Sequence, residues 1–245
     1  DVQADRLEAE IVAWGRAHES WSIEHRILVG DPSQPAVWKR LDELLAERFT
    51  TDGGGALEIS RLAIDTGGHN TGDVYEWASR HAGERVLAVK GRDGLATPIG
   101  TPSTVDLNTK TGKRKARGGR LWPVGVSLLK SRLFAWLASP PPRGEEDTPH
   151  GYCHFPRHSD EYFRQLCAER KVKRKNRAGY VRFEWEKTRD RNEVLDCRVY
   201  AMAAAETLRL DKWTEADWQA AEAALTAPGP APAAAPRVKR SSWLG

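Results

Sequence analysis

The chain has 245 residues, 40% hydrophobic and 29% charged, with a formal net charge of +4. This supports one substantial core, or a core with appendages, and reads as a globular class rather than a disordered or membrane one. No run approaches the roughly 18 apolar residues of a spanning helix, and Asp1-Val2-Gln3-Ala4-Asp5 shows no apolar signal segment.

The first residue is not Met, so a fragment of a longer protein is expected. The cysteines Cys153, Cys167 and Cys197 show no CxxC spacing, which points to reduced thiols in a cytosolic setting rather than disulfides or structural zinc. The positive charge is clustered. Lys110, Lys113, Arg114, Lys115, Arg117 and Arg120 form one run, and Arg170, Lys171, Lys173, Arg174, Lys175 and Arg177 another. Each run alone reads as a solvated loop; two such runs favour a polyanionic partner.

In chain order, residues 6–14 alternate apolar and polar and predict a half-buried strand. Residues 20–29 predict a second, antiparallel to it across a short turn. If Asp1-Val2 ends an earlier strand, three antiparallel strands open the fold. Pro35 suits a first helical turn, and Val37, Trp38, Leu41, Leu44, Leu45 and Phe49 recur at helical spacing, with residues 51–55 ending that helix.

Leu62-Ala-Ile64 is a short apolar run that stops at Asp65, before Thr66-Gly67-Gly68-His69-Asn70 and a helix over about residues 72–82. A carboxylate at the carboxyl end of a strand beside a glycine turn points into the crevice where α/β sheets bind ligands. The alternative is that Asp65 caps the next helix. Residues 85–90 give the next strand, and the strand–helix–strand order implies right-handed parallel crossovers.

Residues 91–120 form a basic loop or small ribbon, and Trp122 to Val126 a strand. A helix runs from Ser127, its expected N-cap, to Leu137. A proline-rich loop with Glu145, Glu146 and Asp147 leads to a short strand at residues 151–155, and Ser159 caps a helix to Ala168. Residues 169–186 read as a basic hairpin turning near Gly179. The last strong helix spans about residues 190–208, with Asp190 and Glu193 at capping-box spacing and Asn192, Asp196, Val199 and Ala203 on one stripe. Asp196 there is costly to bury unless it meets a cation. A helix over residues 214–225, an Ala/Pro spacer and a basic tail with Trp243 close the chain. The expected domains are 1–210, a C-terminal helix in 211–226, and a linker and tail in 227–245.

There is no GxxxxGK[ST] phosphate loop. The strand and helix order is that of a ribonuclease-H-like α/β domain. That topology places carboxylates on the first strand, at the end of the fourth and on a late helix, where this chain has Asp1, Asp65 and Asp196. Such carboxylates repel one another unless divalent cations sit between them. Two such ions can clamp the attacking and leaving oxygens of a phosphodiester.

Several motifs carry a resemblance: Asp1-Val-Gln-Ala-Asp-Arg-Leu-Glu, Trp14-Gly15, Glu19-Ser-Trp21, Ile64-Asp-Thr-Gly-Gly-His69, Val89-Lys-Gly91, Cys153-His-Phe-Pro156 and Arg191-Asn-Glu-Val-Leu-Asp-Cys-Arg-Val-Tyr-Ala201. Over about residues 1–210 the chain resembles the nuclease domain of the large terminase subunit of tailed phages, in its lambda-type branch. The resemblance implies a metal-dependent endonuclease that cuts concatemeric double-stranded viral DNA during packaging, in the host cytoplasm. It implies two divalent ions, Mg²⁺ or Mn²⁺, on Asp1, Asp65 and Asp196, with His69 a further catalytic candidate. It also implies an ATPase motor domain, a small terminase subunit and a portal, the last reached through the C-terminal tail, and no membrane. The chain departs from the family pattern in lacking the motor and the strand leading into Asp1. It also carries Ser127 where the pattern often has Asp. Two other readings stay open: a non-catalytic DNA-binding or docking module, and a resolvase- or transposase-type nuclease.

Overall fold

A computed structural model describes residues 1–68, 70–81, 84–108, 114–144, 148–175 and 179–226. It is a mixed α/β structure whose described residues divide into two compact units, residues 1–47 with 59–213, and residues 48–58 with 214–226.

The larger unit opens on β1 (Arg6–Trp14) and β2 (Ser20–Val29), paired antiparallel from Arg6↔Val29 to Trp14↔Ser20. The chain ahead of β1 folds back on it. The Asp1 main-chain nitrogen donates to the Glu8 carbonyl at 2.7 Å, and Glu8 N–H donates to the Asp1 carbonyl at 3.0 Å. Val2 bridges Leu7 antiparallel, so three antiparallel segments do open the fold. The short strand β9 (Cys153–His154) runs parallel to the start of β2, with Ser20 opposite Cys153.

The second sheet holds β5 (Leu62–Asp65), β6 (Val86–Gly91), β7 (Ser103–Asn108) and β8 (Arg114–Val124) in the order β5-β6-β8-β7. β5, β6 and β8 are mutually parallel, while β7 pairs antiparallel with β8. In β6 every residue from Val86 to Val89 is buried, the continuous apolar pattern of a strand covered on both faces. The stretch expected as a basic loop or ribbon is thus a ribbon of β7 and an extended β8 that starts well before Trp122.

Helix α1 (Pro35–Ala46) buries Val37, Trp38, Leu41, Leu44 and Leu45. It stops before Phe49, contrary to the helical spacing. Arg48–Thr50 instead forms β3, antiparallel to β4 (Ala56–Glu58), in the smaller unit. The residues between them are Thr51-Asp-Gly-Gly-Gly55, with Gly54 at φ +85°, and this turn chemistry with β-branched neighbours outweighs the helical periodicity. In the same unit α6 (Glu215–Ala223) starts from a capping box between Thr214 and Asp217.

Helix α2 (Thr71–Ala78) follows β5, α3 (Val126–Leu137) follows β8, and α4 (Asp160–Leu166) is capped by Ser159, whose hydroxyl accepts from Tyr162 N–H. The hairpin β10 (Glu169–Lys175) and β11 (Val181–Lys187) leads into α5 (Glu193–Glu206). Two expected caps move. Gly125, not Ser127, is the N-cap of α3, because Gly125 N–H is held by the Pro98 carbonyl at 2.9 Å. A Cβ there would lie 2.3 Å from the Thr97 carbonyl oxygen. Asp190 and Glu193 form no capping box: α5 begins at Glu193, whose carboxylate is taken by Arg6 and Arg191 at 2.9 and 3.4 Å.

Helix α5 is apolar around most of its circumference, as a core helix must be, and packs on β1, β5, α3 and α4. Leu87, Val89, Val124, Leu129, Leu133, Val194, Leu195 and Val199 meet there, at about 1.5–3 kcal/mol of burial for each large side chain. Asp196 therefore rides on the most buried helix of the unit.

Candidate active site

Asp65 ends β5, and the residues beyond it are shaped around its carboxylate. A Cβ on Gly67 would lie 2.9 Å from Asp65 Oδ2, and Gly68 sits at φ +144°. Thr66 anchors the turn, its N–H and hydroxyl both 2.9 Å from the Val89 carbonyl. Thr71 Oγ1 closes it by donating to Thr66 O at 2.8 Å. On the other side Tyr200 of α5 donates its hydroxyl to Asp65 Oδ1 at 3.2 Å. Burial and the carboxylates of Asp65 and Asp196 together push the Tyr200 phenol far above its ordinary range, so it stays a donor. Asp65 is therefore not the α2 cap; that position is Asn70.

A cleft of about 560 Å³ is lined by Asp1, Gln3, Asp31, Asp65, Gly67 and Gly68 among others. Asp1 Oδ2 accepts from Gln3 Nε2 at 2.5 Å. The Asp1 main chain is held against α5 as well, because Cys197 Sγ donates to the Glu8 carbonyl at 3.2 Å, the same oxygen that takes the Asp1 nitrogen.

Asp196 stands beside this cleft rather than in its lining. Its Oδ2 accepts from Asn192 Nδ2 at 3.0 Å, one helical turn back, and Oδ1 is 3.8 Å from Lys130 Nζ. Burial raises the Asp196 carboxyl, Glu169 and Asp65 raise it further, and Lys130 and Lys187 oppose them. Lys130, Glu169 and Asn192 form the support. Lys130 Nζ is 2.8 Å from both Glu169 oxygens, Asn192 Nδ2 also reaches Glu169 Oε1 at 3.0 Å, and Lys187 Nζ holds Asn192 Oδ1 at 2.7 Å.

Asp65 is therefore close enough to Asp196 to help raise its carboxyl, and Asp1 shares a cleft with Asp65. Among the described residues no three His, Cys, Asp or Glu side chains gather into a ready-made metal cage. His69, Lys110, Lys113 and Arg177 lie outside the described residues. Arg114, Lys115 and Arg117 lie on β8; Lys171, Lys173, Arg174 and Lys175 lie on β10.

The profile of the terminase large subunit gpA endonuclease domain matches residues 1–218. The chain belongs to this family. It is 32% identical over 217 residues to the large terminase subunit of Escherichia phage lambda, covering 87% of the chain and 32% of that relative. Its identity to the large terminase subunit of Enterobacteria phage P21 is 31% over 209 residues, covering 83% and 31%. The chain thus spans about a third of the length of these relatives. No solved structure matches it significantly.

The scattered family motifs meet at Arg198, two residues past Asp196. Its guanidinium is 2.8 Å from Ser20 Oγ, 3.1 Å from Glu10 Oε1, and lies over the rings of Trp14 and Phe155. Sequence reasoning missed Lys130, Glu169, Tyr200 and Arg198. Lys130 carried a signal: helical spacing sets this cation on one face with Val126, Leu133 and Phe134.

Proposed function

We propose that this domain is a metal-dependent endonuclease that cuts concatemeric double-stranded DNA during phage genome packaging. The observation that carries the reading is the nearness of Asp65, in its glycine-lined cradle and hydrogen-bonded by Tyr200, to Asp196 on the buried helix, which Asp65 helps to raise. A ribonuclease-H-like arrangement is the architecture we infer. In its favour are the antiparallel opening, the parallel β5, β6 and β8, and carboxylates before β1, at the end of β5 and on α5.

The donor set suits hard divalent ions. Mg²⁺ is commonly held by one or two carboxylates, with waters and substrate phosphates completing its shell, so an open site needs no protein cage. Burial first, and then the nearby carboxylates of Glu169 and Asp65, raise Asp196, and a bound cation would offset both. Asp1, Asp65 and Asp196 would hold two ions, Mg²⁺ or Mn²⁺. These would supply Lewis-acid polarisation of the phosphate and an acidified water. The chain's own residues do the positioning. Tyr200 orients Asp65, Asn192 and Lys130 orient Asp196, and the Gly67–Gly68 turn keeps space for the phosphate. The basic runs hold the duplex by its backbone with little sequence reading. His69, which follows the turn, is a further candidate for that phosphate. The ATPase motor, small subunit and portal would belong to the longer protein, with the tail from Arg237 as the portal contact.

Incubating supercoiled plasmid with the chain and Mn²⁺ tests the reading, with EDTA as control. Nicking or linearisation only in Mn²⁺ is expected. The placement of Asp196 beside the cleft rather than in its lining favours a second reading, a DNA-binding module without catalysis; it predicts retention of plasmid without cutting.

A further inference from the structure

The hairpin of β10 and β11 has two chemically different faces. Cross-strand partners share a face, and the face alternates along each strand. One face carries Arg170↔Glu186, Val172↔Glu184 and Arg174↔Arg182. There three arginines face two glutamates, and each arginine is ion-paired within the hairpin. Arg170 lies 2.9 Å from Glu186, Arg174 2.7 Å from Glu186, and Arg182 2.5 Å from Glu184.

The other face carries Glu169↔Lys187, Lys171↔Trp185, Lys173↔Phe183 and Lys175↔Val181. Its base is docked: Trp185 packs on Phe134 with ring centres 5.1 Å apart, and Lys171 Nζ donates to Ser131 Oγ at 2.9 Å. Beyond that base, no carboxylate among the described residues pairs with Lys173 or Lys175. Phe183 and Val181 between them are 63% and 45% exposed, and Lys171 Nζ lies 5.5 Å from the Phe183 ring. At the inner end Lys187 and Glu169 join the support of Asp196. Same-face residues on one strand recur about every 7 Å. The face is thus a row of lysines leading outward from the carboxylates.

We propose that this lysine face, and not the arginine face, is the duplex-DNA track of the domain, with Phe183 as its non-ionic contact. The inference rests on the nuclease reading only for the direction of the track, toward Asp196. The arginines are spent on glutamates of their own hairpin, so docking a phosphate on them would first break an ion pair. The lysines are free to release counterions from a phosphate backbone. An exposed aromatic between lysines suits a surface that presents sugars and base edges between phosphates, as apolar side chains do in DNA grooves.

The test measures binding of a short labelled duplex across a salt series, in Ca²⁺ to suppress cutting. Lys173→Gln/Lys175→Gln should flatten the log–log salt slope by about 1.8, at about 0.9 per lost contact. Phe183→Ser should weaken binding about fivefold at every salt with the slope unchanged. Arg174→Gln/Glu186→Gln, which preserves net charge, should alter neither. An unchanged slope in the lysine pair, or equal flattening in the neutral pair, overturns the proposal. So does wild-type binding that is absent or indifferent to salt. A chain that binds in this way yet cuts nothing would refute the nuclease and leave the track standing.

Discussion

Arg198 Nη1 lies 3.1 Å from Glu10 Oε1, with the two side chains 1% and 0% exposed. The pair ties the buried helix to the first sheet two residues from Asp196. Removing one partner strands a buried charge at a cost of about 3–5 kcal/mol, whereas an apolar pair of similar volume can be nearly neutral. Arg198→Leu should therefore lower the unfolding free energy by that amount, and Arg198→Leu/Glu10→Leu should recover much of it. Additive losses in urea unfolding would show that the pair does not act as a unit.

Lys130 and Glu169 make the parallel case at the other side of Asp196. Lys130→Met should cost a similar amount, because both Glu169 oxygens lose their cation. It should also lower plasmid cleavage by about 10–100-fold, the usual effect of losing a group that orients a ligand. Lys130→Arg should restore stability better than it restores cleavage, since a fork cannot reproduce the ammonium geometry. Equal recovery of both would indicate a purely structural lysine.

Glu8 sets an acid limit. Burial pushes its carboxyl up, but His25, 3.3 Å away, and Arg6, 2.6 Å away, outweigh it and hold it at about 2 against 4.5. The folded value is the depressed one. Its stabilisation is therefore complete above pH 4.5 and is lost as pH falls toward 2. That amounts to about 3 kcal/mol. Glu8→Gln should be less stable at neutral pH and should show a flatter loss between pH 4.5 and 3. An identical acid limb in the variant would remove Glu8 from the account.

Much of this was legible in the sequence because it is local. The Asp65 turn needs only an apolar run, a carboxylate and two glycines, and the basic hairpin announces itself by alternation around Gly179. What was hidden is long-range. Nothing near Phe49 shows that Thr51 to Gly55 folds a hairpin and ends α1 early. Nothing near Glu193 shows that Arg6 takes its carboxylate across 187 positions. The support of Asp196 by Lys130 and Glu169 likewise depends on α3 and β10 meeting α5, which no periodicity encodes.

Gly67 offers a cleaner probe of the site than any ligand. Its φ lies outside the left-handed region, so Gly67→Ala carries no backbone strain, yet its Cβ would stand 2.9 Å from Asp65 Oδ2. The variant should melt within a few degrees of the wild type while losing at least about tenfold in cleavage, since small displacements of a catalytic group are costly. Unchanged cleavage would mean that the Asp65 carboxylate has no fixed place to keep.

The most direct measurement of the central claim is Mn²⁺-dependent plasmid cleavage by the wild type, Asp65→Ala and Asp196→Ala, with thermal melting of each. The account predicts cutting by the wild type alone, each variant falling by more than about 100-fold, a larger loss than that expected for a supporting residue. Melting temperatures should hold or rise slightly, because each substitution removes a carboxylate from a repelling group. Full activity in either variant, or in EDTA, would contradict it.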